Sequence, residues 1–286
     1  MIDLKILVTG AEGFTGKYFT QEAIKTGHTV YKLKSDLLNF TELQKEIEQA
    51  SYDYVVHLAA ISFIPHADSS EIYKVNVLGT TNLLDVILKL KNPIKRILLA
   101  SSASVYGNNS NLTIDESQLP FPINHYACSK LSMEYMAFTY TNKLPIIITR
   151  PFNYTGPGQN QLFVVPKIVD HFKRGAESID LGDLNVEREF NDVRFVCQSY
   201  LKLLEFSEVG NIYNICTGTS YNLNNIISQL EKLTDHKITI NQNPSYLRVN
   251  EAKSLCGDPR KLNNCTKIFN SYTLKDTLES ILNYEE

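Results

Sequence analysis

The chain opens with an apolar run, Leu4-Lys5-Ile6-Leu7-Val8, that breaks into three evenly spaced glycines, Gly10, Gly13 and Gly16, as a helix-like segment begins from Phe14 to Lys25. A strand, a tight turn and a helix in so short a span let backbone N–H groups meet a pyrophosphate at a helix N-terminus. The spacing is G-x-x-G-x-x-G, not G-x-G-x-x-G, and an ordinary glycine turn between strand and helix reads the same way. Beyond it the rhythm repeats. Short apolar strands at 4–9, 28–33, 53–58, 95–100 and 145–149 alternate with helix-length stretches near 14–26, 41–50, 70–91 and 126–142. Later strands are expected at 212–216 and 237–241, and helices near 163–174, 193–206, 222–233 and 274–284. This alternation predicts an α/β fold, a doubly wound parallel sheet covered on both faces.

Tyr126 and Lys130 stand four residues apart in HYACSK, downstream of the serine cluster LASSASVYG. On a helix, i and i+4 share a face, so an ammonium can lie beside a phenol. The expectation is that Lys130 lowers the Tyr126 pKa from its usual value of about 10. That suits proton transfer at a carbonyl or alcohol oxygen while hydride moves on carbon, as at a nicotinamide-linked site. A tyrosine and a lysine one turn apart also arise by chance; the glycine turn and the serines are what make the pair informative.

With 28 basic and 31 acidic residues, nothing in the charge balance calls for a nucleic-acid or membrane-surface partner. The chain enters its first strand without a basic segment and apolar run of the secretory kind, so no signal peptide is expected. No apolar run approaches the roughly 20 residues needed to span a bilayer. Five scattered cysteines (Cys128, Cys197, Cys216, Cys256 and Cys265) form no C-x-x-C, which reads as reduced thiols in a cytoplasmic setting. Cys128 is read as a packing residue. His57 is strand-embedded, His125 and His171 are isolated, and no metal site is expected.

Several ordered motifs together resemble the extended short-chain dehydrogenase/reductase family of nucleotide-sugar epimerases, dehydratases and reductases. They are TGAEGFTG at the start, HLAA at 57–60, NVLGT at 76–80, SSASVYG at 101–107, YACSK at 126–130, RPFNYTGPGQ at 150–159 and EREFNDVRF at 187–195. The resemblance implies a Rossmann-type dinucleotide-binding domain over 1–150, with a return segment at about 190–216, and a smaller α/β substrate-binding region over 151–286. It implies that Gly10, Gly13, Phe14, Thr15, Gly16, Leu58, Ala59, Ala60, Asn76, Tyr126, Lys130, Pro151 and Phe152 contact the dinucleotide. The Asp36-Leu37 pair would hold its adenine. The second strand ends Tyr31-Lys32-Leu33-Lys34-Ser35 with no carboxylate, so Lys34 and Ser35 can meet a 2′-phosphate and NADP(H) is favoured over NAD(H).

By the same likeness Ser102 is the hydroxyl at the reacting oxygen, with Ser101 and Ser104 as alternatives. Dehydratases of the family carry an Asp-Glu pair directly after that residue; here Ala103 and Ser104 stand there, which argues against dehydration. RPFNYTGPGQ, EREFNDVRF and YLRVN look most like GDP-4-keto-6-deoxy-D-mannose reductases, which make GDP-D-rhamnose. That implies substrate contacts at Ser102, Ala103, Ser104, Asn153, Val164, Val165, Lys167, Arg188 and Arg248, the arginines and Asn153 on the diphosphate. His125 stands where the family has proline, and Tyr154 where it has histidine or arginine. Two other functions remain open: a 4-epimerase of the UDP-galactose type keeping NAD tightly bound, and a non-enzymatic dinucleotide-binding protein. The resemblance further implies a homodimer built on a four-helix bundle, for which Leu83, Leu84, Ile87 and Leu88 offer an apolar stripe.

Overall fold

The run Ile146-Ile147-Ile148 is buried on both faces, the signature of a strand inside a parallel sheet. The computed structural model describes residues 3–62, 68–108, 113–246 and 252–285. In chain order the first half contains β1 (Lys5–Thr9), α1 (Phe14–Lys25), β2 (Thr29–Lys32), α2 (Phe40–Ile47), β3 (Tyr54–His57), α3 (Ser69–Tyr73), α4 (Thr80–Leu88), β4 (Arg96–Ala100), α5 (His125–Phe138) and β5 (Ile146–Pro151). The second half contains β6 (Tyr154–Thr155), α6 (Val164–Lys173), β7 (Ser178–Leu181), β8 (Glu187–Arg188), β9 (Asn191–Asp192), α7 (Val193–Phe206), β10 (Ile212–Ile215), α8 (Leu223–Thr234), β11 (Thr239–Gln242), β12 (Ser254–Leu255), α9 (Arg260–Thr266) and α10 (Leu274–Leu282).

Six strands form one parallel sheet in the order β10-β5-β4-β3-β1-β2. Side chains alternate across it. Ile6, Val8, Val56, Leu98 and Ile147 pack against α1 and α7, whereas Leu7, Val55, Ile97, Leu99, Ile146 and Ile148 pack against α2, α4 and α5. The fold is therefore a doubly wound α/β sheet. From β1 the chain first winds outward to β2 and then returns to β3 on the other side of β1. The gap between β1 and β3 is thus the topological switch point, outside whose carboxyl ends ligands bind in such sheets.

Three sequence expectations change. The stretch read as one helix over 70–91 is α3, a π-helical turn at Lys74–Gly79, and α4. The strand expected at 237–241, β11, leaves the main sheet to pair with β7, a short strand not anticipated, over a separate core of Val165, Ile168, Phe172, Ile226 and Leu278. Leu83, Leu84 and Ile87 are not a free stripe: they lie within the main core at 0%, 0% and 3% exposure, because that face of α4 rests on the sheet.

Candidate active site

The glycine turn has little steric latitude. Gly10 adopts φ +67, and a Cβ there would lie 2.6 Å from the Ala59 nitrogen, so the turn rests on the backbone that follows β3. A Cβ on Gly16 would lie 2.1 Å from the Gly10 carbonyl oxygen. Helix α1 starts at Gly13 with no side-chain cap and no acidic residue in its first turn. Its first amides therefore face the crevice with the positive end of the helix dipole behind them, as an anion requires. These features fit a dinucleotide pyrophosphate.

The other wall of the crevice is held by a hydrogen-bond chain through His57. The Ala59 N–H donates to Thr9 Oγ1 at 3.1 Å, Thr9 Oγ1 lies 2.7 Å from His57 Nδ1, and His57 Nε2 lies 2.8 Å from Thr80 Oγ1. Thr80 in turn donates to the Asn76 carbonyl at 2.8 Å. With Thr80 committed as a donor there, Nε2 must carry the ring proton and Nδ1 must accept from Thr9. Burial, and secondarily the Lys130 charge, pull the His57 pKa down to about 3, so the ring is neutral. Asn76 is itself buried. Its side chain binds both the N–H and the carbonyl of Ile61 and donates to Ser129 Oγ at 3.0 Å. Asn76 thus fixes the 58–61 segment against α5, and its amide is spent on protein groups.

Helix α5 begins at an Asn124 cap that accepts the Ala127 N–H at 2.8 Å. Tyr126 follows in the first turn, with Ser102 beside its phenol. Ser104 donates through Oγ to Ser102 Oγ at 2.7 Å, while Ser101 turns away to Glu134 at 2.5 Å. Of the three serines, the fold brings Ser102 to the phenol. Lys130, one turn on, donates to the Ala100 carbonyl at 2.7 Å.

The electrostatics differ from the sequence expectation. Burial pushes the Tyr126 phenol up, and the nearby Ser102 hydroxyl only partly opposes the shift. Burial pulls Lys130 down to about 8, with Glu134 opposing the shift. Desolvation disfavours both charged forms, and the ammonium is spent on a carbonyl.

Two features escaped the sequence. Glu134 receives Arg150 through Nε at 3.0 Å and Nη2 at 2.6 Å as well as the Ser101 hydroxyl, with both ionic side chains at most 3% exposed. Its place at i+4 from Lys130 was the available signal. Tyr154 lies across the groove, its hydroxyl 2.8 Å from Thr15 Oγ1 and its ring stacked on Phe14 at 6.3 Å.

A model of the NAD dependent epimerase/dehydratase family matches residues 6–216. The chain belongs to this family. Family members similar to it include a GDP-6-deoxy-D-talose 4-dehydrogenase from Aggregatibacter actinomycetemcomitans, 37% identical over 91% of this chain and 90% of that protein. A GDP-6-deoxy-D-mannose reductase from Pseudomonas aeruginosa is 33% identical over 97% of this chain and 96% of that one. The structure of RMD from Pseudomonas aeruginosa complexed with NADPH superposes with a TM-score of 0.90 at 31% identity, covering 98% of this chain and 96% of that one.

The remaining positions that the family likeness singled out are placed as follows. Leu58, Ala59 and Ala60 follow β3 and are half-buried at the switch point, and Leu37 packs beneath Gly79. Pro151 ends β5. The Phe152 ring is fully buried beside Tyr106, so only the backbone of that residue can face a ligand. Ala103 is buried in the same cluster. Asn153 is exposed next to the crevice. Val165 is a correction: its side chain fills the smaller core and cannot line a cleft, while Val164 packs at that core's margin. Lys167 donates to the Asp180 carbonyl and lies over the Tyr246 ring, and Arg188 donates to the Glu187 carbonyl from β8. Arg248 lies outside the described residues.

Proposed function

We propose that this protein reduces the C4 carbonyl of a GDP-linked 4-keto-6-deoxy-hexose, in the first instance GDP-4-keto-6-deoxy-D-mannose to GDP-D-rhamnose. The observation that carries the reading is the joining of Ser102, after β4, with Tyr126 and Lys130 of α5, Lys130 being anchored on the Ala100 carbonyl at the carboxyl end of β4. The two relatives named for GDP-6-deoxy sugars support the substrate class. Ala103 and Ser104, where the family's dehydratases carry acid and base, support reduction over water loss.

Gly10, Gly13, Phe14, Thr15 and Gly16 would hold the pyrophosphate, and Lys130 a ribose. A bound reduced nicotinamide supplies the hydride. Tyr126 gives its proton to the carbonyl oxygen, and Ser102 donates a hydrogen bond to the same atom where negative charge grows. A phenol held protonated by burial is in the right state to act as the acid in a reduction. Asn153 and Arg188 are proposed substrate contacts.

A homodimer through α5 and the π-helical turn that leads into α4 is part of the proposal, carried by Leu78 in that turn and Tyr135 on α5, which are 55% and 63% exposed. The five cysteines are free, in keeping with a cytoplasmic enzyme. The test is oxidation of reduced nicotinamide on GDP-4-keto-6-deoxy-D-mannose, with NMR of the product at C4. Tightly bound NAD and interconversion of C4 epimers without net oxidation would replace the reading with a 4-epimerase.

A further inference from the structure

Strand β2 is the sheet edge, and its last sheet bond is the Leu33 N–H to the Val8 carbonyl at 2.9 Å. The next two amides leave the sheet and converge on one carboxylate. Lys34 N–H donates to Glu46 Oε1 at 2.9 Å, Ser35 N–H to Glu46 Oε2 at 2.7 Å, and the Ser35 hydroxyl also donates to Oε2. Consecutive backbone amides joined by a hydroxyl are the donor set that seats an anionic oxygen. Here Glu46, reaching back from the last turn of α2, already fills it.

The location gives this seat a consequence. The end of β2 lies beside the glycine turn, tied to it by the Lys32–Glu12 ion pair at 2.9 Å. On the other side Leu37 packs beneath Gly79 and its carbonyl accepts from Asn82. In dinucleotide-binding folds the end of this strand meets the adenosine ribose: a carboxylate there accepts the 2′-hydroxyl, and a cation accommodates a 2′-phosphate. The Lys32 ammonium is paired with Glu12, and the Lys34 backbone N–H is taken by Glu46. Asp36 adds a third, receiving the Leu38 N–H at 2.9 Å.

We propose that Glu46 is the residue that sets cofactor choice, occupying the donors a 2′-phosphate would need and offering an acceptor to a 2′-hydroxyl, so that the protein binds NADH in preference to NADPH. This rests on reading the glycine turn as a dinucleotide groove. It reverses the expectation drawn from Lys34 and Ser35, because the sequence did not show that a glutamate eleven residues past Ser35 folds back onto them.

Calorimetric titration of the purified protein with NADH and NADPH, at one fixed salt concentration, tests it. The wild type should bind NADPH about tenfold or more weakly than NADH, the size expected when a like charge sits near a phosphate at a partly solvated site. Glu46→Gln should narrow that ratio severalfold, mainly by tightening NADPH. Glu12→Gln, at an exposed position where folding is not at stake, should narrow it too by releasing Lys32. Equal or tighter NADPH binding by the wild type would overturn the proposal, as would a ratio that neither substitution moves. Binding of neither dinucleotide by folded protein would overturn both this proposal and the groove reading beneath it. The wild-type ratio needs no variant, so a destabilised Glu46→Gln leaves the test intact.

Discussion

Replacing Glu134 by glutamine keeps the shape of the side chain and removes its charge. The carboxylate now accepts three bonds, two from Arg150 and one from Ser101. A carboxamide has one acceptor oxygen, so whichever way it turns, its NH2 group confronts a guanidinium N–H. The Arg150 side chain is 3% exposed, and water cannot replace what is lost. Leaving one member of a buried pair without its partner costs about 3–5 kcal/mol, a large share of the roughly 5–15 kcal/mol that holds a typical domain folded. Urea unfolding should show a lower midpoint with an unchanged slope. The double replacement Glu134→Met/Arg150→Met should be less destabilised than either single change, since no unpaired charge remains. Function should respond as well. Glu134 opposes the downward shift of Lys130, so its loss moves Lys130 further below about 8, and the alkaline limb of kcat/KM should shift to lower pH. A Glu134→Gln protein within about 1 kcal/mol of wild type and with an unmoved alkaline limb would refute this reasoning.

Other outcomes follow from the same geometry. His57 titrates at about 3 in the folded protein against an ordinary 6.5, so as pH falls below 6.5 the unfolded chain takes up the proton first. Stability should then decline between pH 6.5 and about 3 by up to about 5 kcal/mol from this group, and His57→Gln should flatten that limb in urea melts taken across pH. Gly16→Ala, whose Cβ would lie 2.1 Å from the Gly10 oxygen, should lower the melting temperature far more than Gly13→Ala, whose Cβ comes no nearer than 3.3 Å. Tyr154→Phe removes the bond to Thr15 and should lower stability in urea unfolding by about 1 kcal/mol, the net worth of one intramolecular hydrogen bond.

Strands buried on both faces, such as Ile146–Ile148, announce themselves in the sequence because burial demands an unbroken apolar run. β7 did not: its four residues, Ser178-Ile179-Asp180-Leu181, alternate in a stretch too short to separate from a loop. The stripe at Leu83, Leu84 and Ile87 shows the limit of helical periodicity, which tells that a face is covered but not whether sheet or second subunit covers it. At the candidate site, the residues tied to local motifs (the glycine turn, Ser102, Tyr126 and Lys130) stand out in the sequence by their spacing. The groups that hold and tune them could not. Glu134 meets Arg150 from sixteen residues away, Glu46 folds back onto Lys34 and Ser35, and Tyr154 reaches Thr15 across 139 residues, pairings that only the tertiary fold creates.

The reductase reading is tested most directly by mixing the protein with GDP-4-keto-6-deoxy-D-mannose and NADH or NADPH and following loss of reduced-nicotinamide absorbance, with Tyr126→Phe as the control. Rapid oxidation that the substitution abolishes, with a C4 alcohol as product, is the result predicted. A folded wild-type protein that leaves both cofactors reduced, or oxidises them equally well without the Tyr126 hydroxyl, would contradict it.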